Sequence, residues 1–136
     1  MAEIVLISCV SKKLSHKARA RDLYISPLFR YNLEYAKSLQ PDKIFILSAK
    51  YGLLNLEKEV GPYNTTLNTM PARHIKAWAD RVIIQLNKVA DLRKDKIIFL
   101  AGEKYRKYLI PYVNNYKIPM EGLSIGKQLK YLKDKI

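Results

Sequence analysis

One cysteine stands in 136 residues. Cys9 therefore has no partner for an internal disulfide, and a single thiol suits a reducing, cytoplasmic setting. Histidine is scarce as well, with two in the chain. No His, Cys and carboxylate set has metal-ligand spacing, so no metal site is expected. The G-x-x-x-x-G-K-[ST] pattern is missing, which excludes a P-loop, and no cofactor is expected. No apolar run approaches the roughly 18 residues that a membrane helix needs. The opening MAEIVLIS carries an acid at position 3 and no basic leader, so it reads as a first strand rather than a signal peptide. Repeats, low-complexity tracts and linkers are absent. The length suits one domain over residues 1–136, large enough for one core.

Acids are the most telling shortage. Twelve Asp and Glu face 25 Lys and Arg, a net charge of +13. So basic a small domain attracts polyanions, and nucleic acid is the leading partner. The other reading is a lysine-rich surface of the kind found in high-temperature proteins. A membrane surface fits poorly, because no helix pairs a bulky apolar face with a basic one. An oligomeric partner is not legible.

What is present alternates between strand and helix. EIVLIS (3–8), KIFILS (43–48) and KIIFLA (96–101) are unbroken apolar runs, the pattern of parallel strands buried on both faces. A helix is expected from Pro27 to Leu39, with Ser26 as its cap and Pro27 at its first position. A second runs from Pro71 to about Leu92, with Ile75, Trp78, Ala79, Val82, Ile83, Leu86 and Val89 at helical spacing. A third covers 103–113. YKIP (116–119) suggests a short fourth strand and SIGKQLKYLKDK a terminal helix, while 55–70 reads as a long loop. The expected fold is a small three-layer α/β sandwich around a mainly parallel sheet of about four strands.

In such folds ligands sit beyond the carboxyl ends of the strands. Three polar exits should converge there. The first, Ser8-Cys9-Val10-Ser11-Lys12-Lys13, offers hydroxyls, amides and lysines that suit an anion. Cys9 is a nucleophile if a lysine lowers its pKa, and otherwise a small buried residue. In the second, SAKYGLL (48–54) is followed by Pro62, Tyr63 and Asn64. Ser48 and Lys50 can face a ligand, Tyr51 and Tyr63 can stack on a base, and Gly52 allows a tight bend; packing of those tyrosines within the fold is the alternative. The third is AGEKY, with Gly102 and Tyr105, where Gly102 before a helix suits close approach by a substrate or backbone, or is a plain strand-to-helix turn. Glu121, between Pro119 and Gly122, is either a general base or a helix-start carboxylate.

These stretches together resemble the peroxide-stress protein YaaA superfamily. The likeness lies in LISCVSKK, in LSAKYGLL followed by PYNTTL, and in IIFLAGEKYRKYL, in that order and across roughly residues 4–127. DLYISPLF (22–29) and EGLSIGKQL (121–129) are similar to compact relatives of unknown function, which brings Asp22, Tyr24, Ser26 and Lys127 into the candidate site. SCVSKKLSH (8–16) is more distantly similar to the core domain of archaeosine synthase, without that motif's leading proline. The resemblance implies a modified base in a nucleic acid, DNA ahead of RNA, with roles in DNA repair and oxidative stress. It points most concretely to a hydrolase of the DNA glycosylase type acting on an oxidised pyrimidine. Glu121 or Asp22 would handle water or a proton, and Lys12 or Lys50 would stabilise the departing base. A non-catalytic DNA- or RNA-binding module is one alternative, and a nucleotide or deazapurine enzyme using Cys9 is another.

Overall fold

The computed structural model describes residues 1–8 and 12–136. Its first element is β1 (Glu3–Ser8), in which Ile4 to Ile7 are wholly buried. The basic segment that follows holds β2 (Ala18–Arg19) and the one-turn helix α1 (Ala20–Leu23). Next comes α2 (Pro27–Ser38), where the Ser26 side chain accepts from the Phe29 amide at 3.3 Å and Pro27 fills the first turn. Proline suits that place because a first-turn N–H has no intrahelical acceptor. β3 (Lys43–Ser48), β4 (Gly52–Asn55) and β5 (Glu59–Val60) precede α3 (Ala72–Asn87). The chain ends with β6 (Lys96–Leu100), α4 (Glu103–Arg106), β7 (Asn115–Lys117) and α5 (Ile125–Lys135).

The sheet has five strands in the order β4-β3-β1-β6-β7. β1 lies between β3 and β6, parallel to both; β7 is parallel to β6, and β4 is antiparallel to β3. The apolar runs occupy the three central strands, where both faces are covered. From β1 the chain moves one way to β3, then back across β1 to β6. Right-handed crossovers in opposite directions put α2 and α3 on opposite faces, which makes three layers. Accordingly α2 packs with β1 and α5, while α3 packs with β4 and α4. The apolar stripe of α3 is buried from Ile75 through Leu86.

Three expected boundaries differ. α3 stops at Asn87 and leaves Val89 to Leu92 to turns that lead into β6. The helix expected over 103–113 is one α turn followed by a 3-10 turn, Ile110–Tyr112. Pro111 has no N–H to give an α ladder there, so the longer helix cannot form. The expected loop over 55–70 contains β5, paired with β2, and a 3-10 turn at Leu67–Thr69.

Asp95 ties the start of β6 to the first residues of the chain. Its carboxylate accepts from the Asp91 and Ala2 amides, each at 2.8 Å. Those two donors hold its pKa below the usual carboxylate range. A depressed pKa contributes stability that is present above the unfolded value and lost as pH falls through the folded one. Below about pH 4, therefore, wild type should lose more stability than Asp95→Asn, relative to each protein at pH 7. Urea denaturation at pH 7 and pH 3 measures this, and equal losses would contradict it.

Candidate nucleobase site

The connections leaving β1 and β6 run in opposite directions, so their carboxyl ends part around a crevice at a topological switch point. The crevice is real. A cavity of about 670 Å³ opens there, within the size range of small-ligand sites. Its floor is the ends of β1 and β6, Ser8 and Leu100 to Gly102. The Gly102 amide donates to Ser8 Oγ at 3.2 Å and joins the two exits. One wall comes from α2 and α5, through Leu28, Asn32, Ile125 and Gln128. The opposite wall is the loop from Tyr63 to Asn68, together with Glu103 to Tyr105. Lys13 and Lys104 give it positive charge, and Glu103 is its one carboxylate among the described residues. A second cavity of about 440 Å³ lies at the amino end of β6, beside Leu92 and Tyr112, away from all three exits.

A chain of hydroxyls supports this cavity from the side. Tyr63 and Tyr24 share a hydrogen bond of 2.6 Å, and the Ser48 hydroxyl donates to Tyr63 at 2.8 Å. Ser48 also accepts from the Tyr51 amide at 3.0 Å, which closes the turn after β3. The Tyr51 ring meets the Tyr63 ring edge-on, with centroids 5.5 Å apart. Lys13 lies over the Tyr63 ring at 4.5 Å, a cation–π distance. It is held there because its segment bridges to Tyr24 and because the Leu14 amide donates to Leu23. Beneath, Trp78 donates from Nε1 to the buried Ser48 carbonyl at 2.9 Å and stacks edge-on with Tyr105. Tyr105 accepts from the Leu67 amide at 3.4 Å. The second and third exits are thus locked together through one indole.

A family model of unknown function, DUF6884, matches residues 4–134. The chain belongs to that family. No curated protein and no solved structure matches it.

The DUF6884 fold gathers Ser8, Tyr63, Asn64, Gly102 and Tyr105 on the cavity wall. Tyr24, Ser48 and Tyr51 stand behind it, within the hydroxyl chain and its packing. Ser26 is engaged in capping α2. Gly52 has a φ of +74°, and Gln85 occupies the space a side chain would need; its position answers a backbone requirement. Lys50 is exposed above the Tyr51 ring, and Pro62 is exposed on the loop. Of the three candidate catalytic residues, none lines the cavity. Asp22 is exposed in α1, Lys12 is exposed one residue before Lys13, and Glu121 is exposed in the turn before α5. Lys127 is exposed in the first turn of α5, whose cap is Ser124. Cys9 falls outside the described residues.

Several lining residues were not singled out from the sequence, among them Asn32, Asn68, Glu103 and Gln128. Asn32 sits in the buried stripe Phe29, Asn32, Leu33, Ala36. A polar residue at an apolar position of a helix that follows β1 was the available signal. Gln128 had no such signal, because α5 reaches the cavity only through its packing on α2, helped by the Tyr35–Tyr131 hydrogen bond. Burial, and then that bond, push the Tyr35 pKa up to about 12.

Proposed function

We propose that this protein is nucleic-acid-associated and recognises a modified base, held out of its stack in the cavity between the β1 and β6 exits. One observation carries the reading: a cavity of about 670 Å³, roomy enough to admit a nucleobase with its sugar, lined by amides, hydroxyls and two lysines, at the strand-end switch point of a chain of charge +13. A base outside the helix needs a pocket with polar partners for its edge, and the strand around it needs cations for its phosphates. Tyr63, Asn64 and Asn68 offer the first, Lys13 and Lys104 the second. The likeness to the YaaA superfamily favours DNA and an oxidised pyrimidine.

The finer form of the proposal is hydrolysis of the base's N-glycosidic bond. Water would add to the sugar C1′ as the C1′–N bond breaks; the proton the water gives up would pass through a carboxylate to the departing base, leaving a sugar hydroxyl and the free base. A carboxylate must accept a proton from the water. Glu103 stands on the wall and Glu121 does not, so Glu103 takes that part.

Labelled single- and double-stranded oligonucleotides carrying 5-hydroxymethyluracil, uracil or thymine test both levels. Binding is read by fluorescence anisotropy and cleavage by alkaline treatment of any abasic site. Binding with cleavage that Glu103→Gln abolishes supports the hydrolase. Salt-sensitive binding without product supports recognition alone, and no binding to any oligonucleotide rejects the proposal. Lys13→Ala and Lys104→Ala should each weaken binding across all sequences and lower the slope of log K against log salt by about 1. Unchanged slopes would remove both lysines from the phosphate path.

A further inference from the structure

The Asn32 side chain is 4% exposed, and its Oδ1 has no hydrogen-bond partner among the described residues. A buried acceptor without a donor is costly, and native proteins rarely keep one without a use. Asn32 also occupies a place where helical periodicity calls for an apolar residue, between Phe29 and Leu33 on one side of α2. Leucine there would satisfy the core. The residue lines the switch-point cavity, so a ligand bound there can supply the missing donor. Across the cavity floor, Ser8 Oγ accepts from the Gly102 amide, which leaves the Ser8 hydroxyl its own proton to donate. Ser8 is itself 8% exposed. The cavity thus presents a buried acceptor and a buried donor to whatever enters.

We infer that Asn32 is a specificity-determining residue that accepts a hydrogen bond from a ring N–H, and that the cavity takes heterocycles with a lactam edge, an N–H beside a C=O. The inference rests on the reading of the cavity as a base site and narrows it. Uracil-, thymine- and hypoxanthine-type rings carry that edge. Methylation of the ring nitrogen deletes the donor and adds bulk at the position facing Oδ1. A site built around a hydrogen bond rejects an analogue that lacks it far more strongly than an apolar pocket rejects a small change of shape.

The test is titration of the ¹⁵N-labelled protein with free nucleosides: thymidine against N3-methylthymidine, and inosine against N1-methylinosine. The Asn32 side-chain amide resonance should shift with at least one parent nucleoside. The matching methylated analogue should bind about ten-fold more weakly or worse. In Asn32→Leu, both members of each pair should bind alike, with a Tm no lower than wild type. Equal binding of parent and methylated forms by the wild type overturns the inference. So does an Asn32 resonance indifferent to all four, or a lowered Tm in Asn32→Leu with the preference intact. The wild-type titration decides even where that variant does not fold. Nucleoside discrimination without oligonucleotide binding would uphold the inference and reject the polymer as partner. Oligonucleotide binding with an indifferent Asn32 would do the reverse.

Discussion

Trp78→Ala should lower the unfolding free energy by roughly 3–5 kcal/mol, the range for emptying a large aromatic site in a core. The indole is 2% exposed, and its removal leaves the buried Ser48 carbonyl without its donor. It also takes away the edge-on partner of Tyr105. For a domain of this length the loss corresponds to a fall in Tm of about 10–17 °C. Because Ser48 and Tyr105 belong to different strand exits, the damage should reach the cavity wall. Trp78→Phe keeps an aromatic ring in the core but loses the N–H and part of the indole's volume, so it should cost less than Trp78→Ala, about 1–3 kcal/mol. Thermal unfolding of the two variants gives the comparison. A small effect of Trp78→Ala would mean that the exits are held together by something other than this side chain.

Gly52→Ala should cost roughly 2–5 kcal/mol by two routes. A φ of +74° lies in the left-handed region, where a Cβ costs about 1–2 kcal/mol. The added methyl would also overlap Gln85 Oε1. That oxygen accepts from the Leu53 amide at 2.8 Å, and Nε2 donates to the Tyr51 carbonyl at 3.4 Å. Gln85 can move aside only by giving up these bonds, at about 1–3 kcal/mol. A double-mutant cycle separates the routes. In a Gln85→Ala background, Gly52→Ala should cost only the left-handed share. Strict additivity of the two substitutions would show that Gln85 does not restrain the glycine.

The central strands were legible because burial on both faces leaves a continuous apolar run, and Val5 to Ile7, Ile46 and Leu47, and Ile97 to Leu100 have nowhere else to go. β4 was not, because GLLN pairs back on β3 through a turn that Gln85, more than 30 residues away in sequence, holds through the Leu53 amide and the Tyr51 carbonyl. The polar exits were readable as a set, since strand ends in a parallel sheet must converge. Which exits share a cavity was not. That depends on strand order, which sets β1 beside β6 and sends the second exit behind the wall as support. Glu121 stands out as an acid in a basic chain, yet the turn before α5 leaves it off the cavity lining. Asn32 was overlooked because a single polar residue in a helical stripe is visible only once the stripe is known to be buried.

The most direct test of the base site is photocrosslinking. A single-stranded DNA oligonucleotide with one 5-iodouracil is irradiated with the protein, digested, and mapped by mass spectrometry. Crosslinks at Tyr63, Tyr105 or the segment 64–68, competed by an unlabelled oligonucleotide, are the predicted result. Crosslinks confined to the outer faces of α3 and α5, with none on the cavity wall, would contradict it.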